Sequence, residues 1–148
     1  MQQSEIERRH HLLQTYFEGR DWDVVGEYDL KRQLVLNSSQ LLPNYPFVID
    51  DEWEVEPGRS DQGRGDLVFT DGQGNFAVVE VKYLDLPSKD SPISNRSGKK
   101  RRESNREKRR QVEAQAPKYA KRLREKLGIT ESVAAYYFTN EYKKPQLL

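Results

Sequence analysis

The feature that most constrains this chain is a run near its middle, GDLVFTDGQGNFAVVEVKYLD at residues 65–85. Two short apolar segments, LVFT and FAVVEV, flank a turn rich in Gly, Asp and Asn, a pattern that predicts a β-hairpin. Symmetric pairing about the turn sets Thr70 opposite Phe76, then Val68 opposite Val78, then Asp66 opposite Glu80. Side chains alternate along a strand, so Asp66, Glu80 and Lys82 leave the same face. Charges are poor strand formers, and like charges directly opposed destabilise a sheet. The two acids therefore call for something positive between them.

Two candidates supply that charge. Lys82 alone could neutralise the pair as a strand-end salt bridge in solvent. A divalent cation with oxygen ligands is the other, since Mg²⁺ takes one or two carboxylates and fills its shell with water. The second carries chemistry. A carboxylate-bound Mg²⁺ lowers the pKa of a water and polarises a phosphoryl oxygen. A lysine beside it can orient or deprotonate that water, or stabilise charge building on the phosphate. An acid followed fourteen residues later by Glu-x-Lys delivers all three groups from one hairpin.

The charge balance points the same way. The net charge of +1 conceals residues 1–95, with 9 Lys/Arg against 18 Asp/Glu (net −9), and residues 96–148, with 16 against 6 (net +10). Metal ions want carboxylates and phosphates want Lys and Arg; mutual attraction of the halves is the plainer account. The 148 residues suit one domain, residues 1–148, with a modest core. There is no cysteine, which excludes disulfides, Cys-ligated zinc and iron–sulfur clusters and fits a reducing compartment. No apolar run approaches the roughly 20 residues of a membrane span, and the start lacks a signal-peptide core. The expectation is a soluble, intracellular protein of nucleus or cytoplasm.

Along the chain, a helix opens at a Ser4–Glu7 capping box and stops at Gly19. DWDVVGEYDL (residues 21–30) reads as a strand, with KRQLVL as its return partner. NSSQLLPNYP (residues 37–46) reads as loop, and FVIDDEWEVEP as a strand that buries Trp53 and Val55 and exposes Glu52, Glu54 and Glu56. After the hairpin, residues 86–103 read as a mobile basic loop. A second capping box, Ser104–Glu107, opens a long helix with Val112, Ala116, Ala120, Leu123 and Leu127 on one stripe. Pro117 should kink or split it, and Gly128 should cap it. SVAAYYFTN (residues 132–140) reads as a buried strand. The sum is a mixed α/β domain, one sheet with helices packed on it.

GD at 65–66 followed by EVK at 80–82 resembles the motif of the PD-(D/E)XK nuclease superfamily, whose members include restriction enzymes, junction resolvases and RecB-type exonucleases. That resemblance implies a restriction-endonuclease-like core, helix–three strands–helix–strand. It also implies Mg²⁺ (Mn²⁺ as substitute) on Asp66 and Glu80, with Lys82 as catalytic lysine. Gly65 stands where many relatives have proline. Gln115-Ala-Pro-Lys-Tyr119 resembles the Q-x-x-x-Y motif of RecB-type members, which would turn Gln115 and Tyr119 towards the DNA backbone or the metal shell. Gln111 is a rival for Gln115. Relatives often add a glutamate from the first helix; Glu7, Glu18 and Glu27 are the options here. The expected activity is metal-dependent phosphodiester hydrolysis of DNA, with RNA as a second substrate class. The alternative is an inactive nuclease-fold module that binds nucleic acid beside a partner protein.

Residues 96–110, RSGKKRRESNREKRR, hold nine basic residues and two acids. Lys99, Lys100, Arg101 and Arg102 are the candidates for phosphate contact, and KKRR also fits a nuclear-import signal. The run has no aromatic residue, so backbone contact is expected rather than base stacking. His10 and His11 are expected to be surface or partly packed residues. GQGN lies between antiparallel strands and is no phosphate loop, and no Ser–His–Asp signature is present. A homodimer or a protein partner is compatible with all of this; a membrane partner is not expected.

Overall fold

The computed structural model describes residues 1–19, 26–54, 64–84, 86, 98–128 and 133–148. Helix α1 (Gln3–Glu18) is followed by α2 (Glu27–Leu36) and the single turn α3 (Ser38–Leu41). Strands β1 (Phe47–Glu54), β2 (Arg64–Thr70) and β3 (Phe76–Lys82) come next, then the long α4 (Gly98–Leu127), β4 (Ala134–Thr139) and the short β5 (Gln146–Leu147). The sheet has spatial order β1-β2-β3-β4-β5. Among the described residues, β3 and β4 are the one parallel pair. A parallel neighbour needs a crossover, and α4 supplies it.

The hairpin has the expected register, Thr70↔Phe76 through Leu67↔Val79. Its turn is held by Asp71, whose Oδ1 accepts the N–H groups of Gln73 (2.7 Å) and Asn75 (3.2 Å). Gly72 (φ +82°) and Gly74 (φ +90°) take the left-handed backbone that the turn requires. β3 is buried on both faces, which explains why FAVVEV reads as a continuous apolar run rather than an alternating one. Leu67, Phe69, Val79 and Val81 pack against Phe17 of α1 and Leu30, Leu34 and Val35 of α2. On the opposite face, Val68 and Val78 pack against Ala116, Tyr119, Ala120 and Leu123 of α4. Each of the larger apolar side chains contributes roughly 1.5–3 kcal/mol of burial free energy when fully covered. The result is three layers with the hairpin in the middle one.

Several sequence expectations are corrected. Residues 27–36, read as strand and return strand, form α2: Leu30, Leu34 and Val35 are spaced for one helix face and are buried together. Residues 38–41 are a helical turn rather than open loop. Neither capping box caps: α1 begins after Gln2, with no side-chain cap bond, and Ser104 lies well inside α4. The basic segment is not loop from residue 98 onward, because α4 starts at Gly98. Pro117 does not split α4, which runs through it. Proline there still removes one intrahelical bond and crowds the carbonyl four residues earlier, and the packing of Ala116, Tyr119, Ala120 and Leu123 on either side of it holds the helix together. The expectations for residues 21–25, 55–57 and 87–97 lie outside the described residues, as do those for the side chains of Glu54, Lys99 and Arg101. Gly19 does end α1, and Gly128 follows α4 with φ +64°.

Candidate functional site

The two acids of the hairpin meet where its ladder ends. Beyond Leu67↔Val79, side chains take over from backbone. The Asp66 N–H donates to Glu80 Oε1 (3.3 Å), and the Val81 N–H donates to Asp66 Oδ2 (2.7 Å). Buried N–H groups must find acceptors, so part of the reason for acids here is structural: they close the hairpin as its strands separate. That duty alone does not set how the two carboxyls act on each other, and here the Asp66 carboxyl bears on the protonation of Glu80. Glu80 is only 3% exposed. Burial and the neighbouring Asp66 charge push its pKa up to about 8, and Lys82 pulls the other way.

Lys82 ends β3, about a quarter exposed, with Nζ 3.7 Å from Glu27 Oε1 at the start of α2. The chain beyond it is clamped. Asn140 accepts the Leu84 N–H (2.7 Å) and donates to the Leu84 carbonyl (2.9 Å), while Lys108 of α4 donates to the Tyr83 carbonyl (3.1 Å). Of the three glutamates weighed from the sequence, Glu27 is the one beside the site. Glu7 and Glu18 are exposed on α1, and Glu7 accepts a bond from Gln3.

A residue that sequence reasoning missed sits at the centre. Lys31 of α2 is 3% exposed, and its Nζ lies 2.9 Å from Asp51 Oδ1, 3.5 Å from Asp66 Oδ1 and 3.6 Å from Glu52 Oε1. Burial lowers its pKa, but the three carboxylates outweigh burial and the net direction is up. The signal was present: Lys31, Leu34 and Val35 stand at i, i+3 and i+4, so reading residues 27–36 as helix turns Lys31 inward. Asp51 and Glu52 are adjacent on β1 and would normally point to opposite faces. Glu52 has φ +51°, a left-handed conformation costing on the order of 1–2 kcal/mol outside glycine, and both carboxylates reach the same ammonium. Of the acidic row read as a solvated face in which a metal ligand could still hide, Glu52 is drawn towards the site while its side chain stays about half exposed.

Tyr119 is buried between α4 and the sheet, edge-on to Trp53 with ring centroids 6.1 Å apart. Its pKa is raised by burial first, then by the charges of Glu80 and Asp66. It faces the acids from within the core rather than offering a surface to a polymer. Gln115, one turn earlier, is half-buried, and Gln111 is exposed. Lys100 and Arg102 are exposed on the first turns of α4. His10 is structural: its Nδ1 accepts the Val48 N–H (3.0 Å), its ring meets Phe47 edge-on, and burial lowers its pKa. His11 is exposed.

Among the described residues no group of three or more His, Asp or Glu is arranged to hold a metal ion, and no helix is long and apolar enough to cross a membrane. No known family's profile matches the chain, and no curated protein or solved structure matches it. What stands is an α/β protein with a five-stranded mixed sheet and a paired-carboxyl centre at the open end of its hairpin.

Proposed function

We propose that this protein is a metal-dependent nuclease of PD-(D/E)XK type, with a restriction-endonuclease-like core, that hydrolyses phosphodiester bonds in DNA. The observation that carries the reading is the convergence of Asp66 and Glu80 at the open end of the hairpin, linked by the Asp66 N–H to Glu80 Oε1 and the Val81 N–H to Asp66 Oδ2, with Lys82 two residues beyond Glu80 on β3. The element order supports it: with α2 and α3 interposed after α1 and β5 added at the end, α1, β1–β3, α4 and β4 follow the helix–three strands–helix–strand order that the resemblance implies. Mg²⁺ fits the pair: a carboxyl kept protonated by burial and by a neighbouring carboxylate is a site that a divalent ion would occupy in the proton's place. Asp66 and Glu80 would hold it. When bound, it would lower the pKa of a water and polarise the phosphoryl oxygen.

The chain's own residues divide the remaining work. Lys82 Nζ orients the attacking water or meets the charge developing on the phosphate, and Glu27 limits where that ammonium can go. Gln115 lies on the same α4 face as Tyr119, one turn nearer the basic end, where an amide can bond a backbone oxygen. Lys99, Lys100, Arg101 and Arg102 hold phosphates without reading bases. DNA is favoured over RNA as substrate, with a 5′-phosphate product as the resemblance implies.

One observation favours a second reading. Lys31 already supplies a positive charge against Asp66, which is what a nucleic-acid-binding module that has lost turnover would retain. Cleavage separates the two. The purified protein should cut labelled DNA in Mg²⁺ or Mn²⁺, and Lys82→Ala should slow single-turnover cleavage by on the order of 100-fold or more. The variant should keep its melting temperature and its DNA binding. Wild-type protein inert on every DNA and RNA structure tried, under both metals, would replace the nuclease reading with the binding module; a Lys82→Ala variant that cuts normally would end the assignment of Lys82.

A further inference from the structure

Tyr28 stands beside the open end of the hairpin. It follows Glu27 on α2, the residue whose carboxylate lies 3.7 Å from Lys82 Nζ. One turn further on, Lys31 holds its ammonium over the Tyr28 ring, 6.0 Å from the ring centre. The same ammonium is 3.5 Å from Asp66 Oδ1, so the two distances together put the ring centre no more than about 9.5 Å from that carboxylate. Lys31 is buried and held by Asp51, Glu52 and Asp66, which gives the ring a fixed neighbour on one side. Tyr28 is nevertheless 47% exposed. An exposed tyrosine is ordinary by itself; its nearness to Asp66 and Lys82 is what gives this one a use.

We infer that Tyr28 stacks on an unpaired nucleobase beside the scissile phosphate, so that the substrate of this site is single-stranded or locally opened DNA. The inference rests on the nuclease reading of Asp66, Glu80 and Lys82. The charges around the ring decide which part of a nucleic acid can come there. Glu27 and Glu52 are each about half exposed, and their carboxylates repel a phosphate. A base is neutral and presents a π face, and its stacking on an aromatic ring is tolerant of sequence. Phosphates find cations elsewhere, at Lys82 and along the basic start of α4. A nucleotide whose phosphate lies at Asp66 and Glu80 carries its base, or its neighbour's, within the span that Tyr28 covers. In a duplex that base is paired and stacked inside the helix, and it must be unstacked and unpaired before it can be presented. A single strand has no such step. Tyrosine suits the task, because a rigid ring with two side-chain torsions loses little entropy on contact.

The test reads binding by fluorescence anisotropy in Mg²⁺, on short phosphorothioate-linked DNA that resists cutting. Three probes are used: a single strand, the same strand with abasic sugars in place of every nucleoside, and the blunt duplex of the same sequence. Tyr28→Ala should weaken single-strand binding by roughly 5- to 150-fold, the worth of one base stacked on an aromatic ring. It should leave the abasic strand and the duplex unchanged. Tyr28→Phe, which keeps the ring, should bind like the wild type. So should Tyr16→Ala, which removes another exposed tyrosine, on α1. A tyrosine that only supports Lys31, or that meets a protein partner, predicts losses for Tyr28→Ala that are nil or equal on all three probes. That result, or a Tyr28→Phe variant as weak as Tyr28→Ala, overturns the inference while leaving the Asp66–Glu80 site intact. Where Tyr28→Ala does not fold, the wild type decides. It should bind the single strand at least roughly 5-fold more tightly than the abasic strand, and equal affinity overturns the inference. Wild-type protein that binds none of the three probes overturns the nucleic-acid reading itself and this inference with it.

Discussion

Glu80 holds a proton at neutral pH because burial and Asp66 both penalise its charge, which moves it from 4.5 to about 8. Between those values the folded chain keeps a proton that the unfolded chain has released. Metal-free protein should therefore lose stability as pH rises from about 4.5 to about 8, the contribution being complete below that window. Thermal melts in a chelator across that range would show a falling Tm, and Glu80→Gln should flatten the slope. Divalent binding must displace the same proton. Mn²⁺ affinity should then rise by about tenfold per pH unit up to about pH 8 and level off above it, measurable by titration calorimetry in buffers of different ionisation enthalpy. Affinity indifferent to pH would mean that Glu80 is not a ligand.

At the level of elements, α4 carries the sharpest contrast. Its first turn has no acid, and the sequence puts four basic residues, 99–102, at the end where the helix dipole is already positive. Four cations there weaken the helix, and an anion would relieve them. Replacing all four with glutamine should leave helix content unchanged and Tm unchanged or slightly raised. DNA affinity should fall across all sequences, and the salt dependence of binding should flatten by about 0.9 in log–log slope for each phosphate that is no longer neutralised. Filter binding at several salt concentrations, beside circular dichroism, reads both. An unaltered slope would assign the run to targeting instead. The position of this charge is plain in the sequence, but its helical state is not, because Gly98 and the lysines lack apolar period. What orders the segment is its continuity with the packed stripe formed by Ala116, Tyr119, Ala120 and Leu123.

For the molecule as a whole, α1 and α2 act as one layer beneath the hairpin. Phe17, fully buried, packs with Leu30, Leu34, Leu67 and Val79, and so couples the helix that bears Lys31 to the strands that bear Asp66 and Glu80. Phe17→Ala should cost about 3–5 kcal/mol, a large part of the roughly 5–15 kcal/mol available to a domain of this kind. Denaturant unfolding of the metal-free protein would measure it. A loss under about 1 kcal/mol, well below the range for such a truncation, would mean that the layer is not a unit.

Local physics in the sequence was enough to determine the hairpin, its register and the meeting of Asp66 with Glu80. A two-strand pairing with a Gly-rich turn leaves one register that buries LVFT and FAVVEV together. The bodies of the first and last helices were legible from an apolar stripe repeated over many residues, and β4 from a short apolar run. Residues 27–36 were not, because EYDLKRQLVL carries β-branched and aromatic residues in a short span where helix and strand patterns overlap. Tertiary packing decided that segment: Leu30, Leu34 and Val35 cover the hairpin only as a helix. With that choice came everything local patterns could not show. Lys31 entered the acid cluster from another layer and Glu27 came to face Lys82; on the opposite face, the packing of α4 turned Tyr119 inward onto Trp53. Contacts between residues far apart in the chain depend on which faces are covered, and coverage is a property of the assembled layers rather than of any one segment.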